Sequence, residues 1–369
     1  MRGSGGACLQ GRCLEAKLTV TMRVGVLTGG GDAPGLNAAI CGLGRRLVEH
    51  GAELVGFADG WRGLIENDTR PIDPRSFRHL LIYGGTSLGS SSAYPYRDPA
   101  VSVPKILATM ADQRLDALVT IGGEGTLGAA NRLHAEAGVP VVGVPKTIDN
   151  DLGATDFTFG FFSSVEVATR AMDDLRSTAE SHNRVFFVEC MGRHAGWITA
   201  YAGIAAGAEG ILVPERPAHI EALCERLERV RSEGARSAII AVAEGTRVWE
   251  DGACLSTADR DEWGEYKIGG VAEQLARMVR QRIGWDARSL VLGHLQRAGQ
   301  PIAFDRIFAL RLGARAARLV QERRFGRMSA MQAGEIVDVP LVEAVAERKV
   351  LTDKFLDRYE SFFLPMGEM

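Results

Sequence analysis

Two aspartates two residues apart, a glutamate set among glycines, and arginines beside histidines are the side chains of this sequence that could do chemistry. The aspartates are Asp149 and Asp151, in the run Pro145-Lys-Thr-Ile-Asp-Asn-Asp151. Carboxylates at i and i+2 after a strand can face one cleft if the loop turns. One can then take the proton of an attacking hydroxyl while the other helps to hold a metal. Aspartates in a turn more often serve turn geometry, but Lys146 and Thr147 beside them favour the chemical reading. The glutamate is Glu124, in Gly122-Gly-Glu-Gly-Thr126. Such a run alone could be a surface turn. At the end of an apolar stretch it suits phosphate binding: the glycines free the backbone, Thr126 can donate to a phosphate, and Glu124 offers a hard oxygen to Mg²⁺.

A further glycine-rich run, Thr28-Gly-Gly-Gly-Asp-Ala-Pro-Gly-Leu-Asn37, lies between an apolar stretch and a helix-like one. Backbone N–H groups and a helix N-terminus there can approach phosphate oxygens. The run is not a Walker A loop, since no G-K-[ST] follows, and its spacing departs from the dinucleotide fingerprint G-x-G-x-x-G. Many α/β proteins carry a tight turn at such a place for packing alone. Two runs offer Arg with His, Met191-Gly-Arg-His-Ala-Gly196 and Gly293-His-Leu-Gln-Arg-Ala-Gly299. A guanidinium forks onto phosphate oxygens. One such turn would be surface decoration; two, with Arg184 and Arg288 ahead of them, look like a pocket for a substrate phosphate.

Positioning these groups falls to a recurring unit: a short apolar run, a polar turn, then an amphipathic stretch. The runs Val24–Leu27, Leu118–Ile121, Val141–Val144, Val185–Val188, Ile239–Val242 and Leu290–Leu292 each precede a polar turn. Continuous β-branched runs suit strands buried on both faces. Their alternation with helices implies an α/β fold with parallel sheets, whose ligands bind beyond the carboxyl ends of the strands. One helix is expected to begin near Pro34, another to span Leu127 to Ala137, and Glu221–Arg236 reads as a charged surface helix. The segment Trp249–Gly264 reads as an exposed excursion.

Composition sets the outer bounds. A chain of 369 residues, 46% hydrophobic, can bury about two domains. A net charge of −3 gives no general field for nucleic acid or an anionic membrane, so neither is expected as a partner. Six cysteines without C-x-x-C spacing predict thiols rather than a disulfide or zinc framework, with Cys190 and Cys224 in the core and a reducing, cytoplasmic setting. Residues 1–21 lack the apolar region of a secretory signal and are expected to be a disordered extension; Met22 is an alternative start.

Taken in order, GGGDAPGLNAAI, GGEGT, PKTIDND, MGRHAGW, AEGT and VLGHLQRAG resemble the 6-phosphofructokinase family over residues 22–340. The resemblance implies two similar parallel-sheet α/β domains with the active site in the cleft between them. The donor domain would take 22–160 with about 296–340, the sugar-phosphate domain 161–295 with about 341–369. It implies phosphorylation of fructose 6-phosphate to the 1,6-bisphosphate by ATP with Mg²⁺, in a homo-oligomer, a tetramer or a dimer. Carried over by motif, Asp149 would be the general base, and Glu124 with Asp151 would hold the metal. Gly31, Gly123, Glu124, Gly125 and Thr126 would contact the donor. Thr147, Ile148, Asp149, Met191, Gly192, Arg193, Glu244, His294, Leu295, Gln296 and Arg297 would bind the sugar phosphate. Arg184 and Arg288 match arginines that reach it from a neighbouring subunit.

Two positions mark the donor in this family, and here they point apart. Gly125 leaves room for a nucleotide, whereas pyrophosphate users resemble G-G-[DE]-D; Lys146 resembles the pyrophosphate users. Gly125 is weighted more, because an aspartate there would crowd and repel the nucleotide α-phosphate. Three positions depart from the family pattern: Ser92 stands where an arginine bridges donor and acceptor phosphates, Ala298 replaces a glycine, and Cys41 replaces an effector-site arginine while Arg45 is kept. A pyrophosphate-dependent enzyme, a kinase for another phosphosugar such as sedoheptulose 7-phosphate, and a weakly catalytic regulatory homologue therefore stay open.

Overall fold

The β-branched runs become strands wherever both of their faces can be covered. A computed structural model describes residues 22–250, 253–254 and 270–365. The extension 1–21 and most of the excursion read at 249–264 lie outside the described residues. The strands follow along the chain as β1 (Arg23–Thr28), β2 (Glu53–Phe57), β3 (Thr69–Pro71), β4 (Ala117–Gly122), β5 (Val141–Pro145), β6 (Val185–Cys190), β7 (Gly210–Leu212), β8 (Ala218–His219), β9 (Ala238–Ala243), β10 (Val248–Glu250), β11 (Ala253–Cys254), β12 (Ala287–Val291), β13 (Arg327–Gln332) and β14 (Glu335–Pro340).

They form a seven-stranded sheet, β14-β13-β5-β4-β1-β2-β3, a four-stranded sheet, β12-β6-β9-β7, and a small ribbon of β11, β10 and β8. The four-stranded sheet is wholly parallel. The larger one is parallel through β13-β5-β4-β1-β2, with antiparallel β14 and β3 at its edges. Every residue of β4, β5 and β9 is buried, as unbroken apolar runs require. In the larger sheet Val24 and Val26 pack with Leu36, Ile40 and Leu43 of the helix Leu36–Glu49 and with Phe308 and Leu312 of Ala303–Gln321. Leu27 and Leu118 pack on the opposite face against Leu127 and Leu133. The smaller sheet is covered likewise, by Met172 and Ile198 on one face and by Leu223, Leu275 and Val279 on the other. Each fully buried side chain of this size contributes about 1.5–3 kcal/mol of transfer free energy.

The topology fixes where a ligand can sit. From β1 the chain proceeds outward to β2 and β3, then returns to lay β4 on the other side of β1. The loops after β1 and β4 therefore diverge, and the crevice between them is the switch point of the sheet. In the smaller sheet β6 lies between β9 and β12, so the loops after these three strands cluster in the same way.

Some boundaries differ from the expected ones. The helix expected from Leu127 spans Glu124–Ala137, so its first turn lies inside the glycine motif. The helix expected near Pro34 begins at Leu36, and the charged helix is Ile220–Ser232. The run at 290–292 ends its strand at Val291, because Leu292 takes helical dihedrals that open a 3₁₀ turn over Gly293–Arg297. Cys41, Cys190 and Cys224 are buried free thiols. Among the described residues no helix is long and apolar enough to cross a membrane.

Candidate active site

The loops after β1, β4 and β5 converge on a cavity of about 230 Å³ lined by Gly30, Gly31, Gly123–Thr126, Lys146, Thr147, Asp149, Asp151 and Arg297. The first glycine loop is held against a neighbouring loop: Gly30 N–H donates to the Ser91 carbonyl at 3.1 Å, and Thr28 Oγ1 donates to the Gly89 carbonyl at 2.7 Å. Ser92, next along that second loop, is exposed and is not among the cavity-lining residues.

Glu124 opens the helix Glu124–Ala137 behind Gly123, and no side chain caps that N-terminus. Its first-turn N–H groups and dipole favour an anion. A Cβ built on Gly125 or on Gly128, one turn further on, would meet nothing within 4 Å. Residues three apart share a helix face, so a bare strip leads away from the cavity along this helix.

The loop after β5 is pinned from several sides. Lys146 N–H donates to the Gly122 carbonyl at 2.9 Å, Asp149 N–H to Thr147 Oγ1 at 3.1 Å, and Thr158 Oγ1 to the Thr147 carbonyl at 2.7 Å. Asn150 takes a positive φ of 53° and accepts from Thr158 N–H at 3.1 Å and from Lys349 Nζ at 2.9 Å. That turn lets residues on either side of Asn150 line one cavity. Ile148 is buried and anchors the loop in the core. Burial and the neighbouring Asp151 push the Asp149 carboxyl up to about 6, a range suited to a base at neutral pH. Burial, then the Arg297 guanidinium, holds the Lys146 ammonium down to about 8. Lys146 Nζ donates to the Gly31 carbonyl.

The second group of loops stands at the carboxyl ends of β6, β9 and β12. Gly245 N–H donates to the Gly192 carbonyl at 3.2 Å, and Gly192 N–H reaches Glu244 Oε1 at 3.4 Å. Burial raises the Glu244 carboxyl above its ordinary range. Gln296 is fully buried; it accepts from Met191 N–H and donates to the Gly293 carbonyl, each at 3.2 Å, and so ties two loops together. Arg193 borders the same cluster, while His294 and Leu295 are exposed. Arg297 joins the two groups of loops. Its Nη1 donates to the Asp32 carbonyl at 3.3 Å, and a Cβ on Gly31 would overlap its guanidinium.

Arg184 and Arg288 lie elsewhere. Both pair with Asp286 at 2.6 Å, near the amino ends of β6 and β12. The length of β6 puts them about 20 Å from the loops at its other end.

The donor set fits a hard cation. Arg348 holds both metal candidates at once, with Nη2 at 3.0 Å from Glu124 Oε2 and Nε at 3.5 Å from Asp151 Oδ2. Two carboxylates from different loops thus converge on a single positive group. No cluster of three or more His, Cys, Asp or Glu able to hold a metal is found among the described residues. A Mg²⁺ there would draw its other ligands from donor phosphates and water, as such sites usually do. Three residues of this region had no sequence motif. Arg348 and Lys349 come from a segment some two hundred positions downstream, and Gly128 gains meaning only from its place on the helix.

The phosphofructokinase family model matches residues 23–320. A pyrophosphate–fructose 6-phosphate 1-phosphotransferase of Amycolatopsis methanolica is 52% identical over 344 residues, covering 93% of this chain and 100% of that one. ATP-dependent 6-phosphofructokinase 3 of Streptomyces coelicolor is 46% identical over 335 residues, covering 90% of this chain and 97% of its own. Among solved structures, Pichia pastoris phosphofructokinase in the T-state superposes with a TM-score of 0.78 at 32% identity, over 88% of this chain and 35% of the yeast chain.

Proposed function

We propose, from the premise that this chain belongs to the phosphofructokinase family and is a phosphotransferase acting on a sugar hydroxyl, that it transfers the terminal phosphoryl group of ATP to fructose 6-phosphate. The observation that carries the choice of donor is the bare strip over Gly125 and Gly128, which gives a nucleoside a place to lie beside the phosphate cavity. In this reading the phosphates rest on the glycine loop Gly29–Gly31 and on the N-terminus of the helix Glu124–Ala137. Glu124 and Asp151 hold Mg²⁺, which when bound neutralises phosphate charge. Asp149 accepts the proton as the sugar hydroxyl oxygen bonds to phosphorus and the donor's P–O bond breaks. Lys146 and Arg297 meet the charge that builds on the transferring group.

A second reading, pyrophosphate as donor, rests on Lys146, whose buried ammonium lies at the phosphate end of the cavity, and on the 52% identical relative. Steady-state assays with fructose 6-phosphate and each donor in parallel separate the two. Turnover with ATP supports the first reading; turnover with pyrophosphate alone replaces it with the second. If ATP is the donor, Gly125→Asp should lower kcat/KM for ATP at least tenfold, since an added carboxylate would face the nucleotide phosphates, and unchanged ATP kinetics would refute the role of the strip.

The oligomer belongs to the same proposal. Among the described residues strand β12 is an edge of its sheet, with Arg288, Ser289 and Val291 exposed, and Leu295 in the turn that follows it is 63% exposed. An open edge with apolar neighbours favours a second copy as its cover. Arg184 and Arg288 would then serve the partner's site. Complementation tests this directly. Asp149→Asn and Arg288→Ala chains should each be nearly inactive alone, and co-assembly should restore turnover through sites that take Asp149 and Arg288 from different subunits. No recovery on mixing would place Arg288 outside a shared site.

A further inference from the structure

Arg348 occupies the electrostatic centre of the metal pair, and the surrounding chain keeps it there. Lys349 N–H donates to the Asp151 carbonyl at 2.9 Å, and Gly153 N–H donates to the Ala344 carbonyl at 3.0 Å. The Lys349 ammonium donates to Asn150 Oδ1 and to the Thr155 and Asp156 carbonyls, at 2.9, 2.9 and 2.8 Å. From the other side Trp197 Nε1 donates to the Lys349 carbonyl at 3.1 Å. The segment carrying Arg348 is thus bound backbone to backbone to the loop carrying Asp149 and Asp151. Its guanidinium is delivered to the carboxylates by a fixed main chain.

We infer that Arg348 is a tethered counterion which Mg²⁺ must displace from Glu124 and Asp151, so that this arginine sets the intrinsic metal affinity of the site. The inference rests on the reading that these two carboxylates hold the metal. A Mg²⁺ ion binds carboxylate oxygens at about 2.0–2.1 Å in a strict octahedron. A guanidinium donating to Glu124 Oε2 and lying beside Asp151 Oδ2 competes for the same oxygens and the same charge. Displacement costs little in absolute terms, because Arg348 and Glu124 are partly exposed and such pairs are weak. The cost changes sign in effect once phosphates are present. A donor that brings its own Mg²⁺ also offers oxygens to the displaced guanidinium, which forks onto phosphate readily. The arginine therefore disfavours the bare ion and favours the metal–donor pair.

The test reads metal binding without turnover. Full-length, chelator-treated protein is titrated with Mn²⁺ alone, and free Mn²⁺ is followed by electron paramagnetic resonance. Arg348→Gln should tighten Mn²⁺ binding about three- to tenfold, the range set by weak, half-exposed ion pairs. Arg348→Lys, which keeps charge but loses the fork, should fall between that variant and wild type, and it carries the test should the Gln variant fold poorly. Glu124→Gln should abolish the site in either background. If Glu124→Gln leaves Mn²⁺ binding intact, the metal reading fails and the counterion falls with it. If Glu124→Gln abolishes binding while neither Arg348 variant tightens it, the metal reading stands and the counterion role is overturned.

Discussion

Asp149→Asn should lower kcat by about 10²–10⁴-fold, the range for removal of a general base, while the KM for fructose 6-phosphate changes only a few-fold. The amide is nearly isosteric, and the loop that carries it is fastened independently through Lys146 N–H, Thr158 and Lys349. The variant should therefore fold and bind, and lose only the capacity to take a proton. The pH dependence gives a second reading. Burial, Asp151 and Glu244 raise the Asp149 carboxyl, Arg297 and Lys146 oppose them, and the result is about 6. A base must be deprotonated to act, so wild-type kcat/KM should fall as pH drops through about 6 and flatten above it. Since kcat/KM reports ionisations of the free enzyme, that acid limb should vanish in Asp149→Asn. A variant with wild-type kcat, or one that keeps the limb, would remove Asp149 from the proton-transfer role.

The parts of this site that could be read from sequence are those where local chemistry and the end of a strand coincide. Val24–Leu27, Leu118–Ile121 and Val141–Val144 announced buried parallel strands through short runs rich in β-branched residues and without polar alternation, and the polar residues after them line the cavity. The unusual density of glycine and aspartate there contradicts ordinary packing needs, which is why the motifs stand out. Other parts were not legible, for physical reasons. Arg348 follows a stretch, Leu341–Glu347, whose alanines, valines and glutamates fit any surface turn; only tertiary folding brings it 3.0 Å from Glu124. The pair β13 and β14 gave no distinct signal: the inner strand β13 sets Arg327, Ser329 and Gln332 among its apolar residues, and the half-exposed edge strand β14 sets Glu335 and Asp338 among its own. The first turn of Glu124–Ala137 was hidden by glycines that disfavour helix in isolation and are accepted here because the opening turn faces a cavity instead of a packed side chain. Gln296 is read as a ligand from its motif alone; that its buried amide also ties Met191 to Gly293 is visible only in the fold.

Arg297 separates a sugar-phosphate ligand from a group that acts on the transferring phosphoryl. Its motif assigned it to the substrate, yet its guanidinium lies against Gly31, donates to the Asp32 carbonyl, and lines the same cavity as Lys146 and Asp149. Ser92 carries no charge where the family pattern has an arginine, so in the proposed reading Lys146 and Arg297 are the side chains of this cavity that meet the charge between donor and acceptor, beside any bound Mg²⁺. Arg297→Gln should then reduce kcat by about 10²–10³-fold, by analogy with removal of one preorganised donor to a charge-developing oxygen. A structural defect could do the same, so the decisive readout is electrostatic. Arg297 lowers the Asp149 carboxyl and also the Lys146 ammonium. Its removal should move the acid limb of kcat/KM to higher pH and let Lys146 hold its proton further into the alkaline range. A fall in kcat with the acid limb displaced upward supports charge stabilisation at the reacting centre. A raised KM for fructose 6-phosphate, with kcat and the limb unmoved, would return Arg297 to the sugar phosphate alone and leave Lys146 to meet the charge on the transferring group.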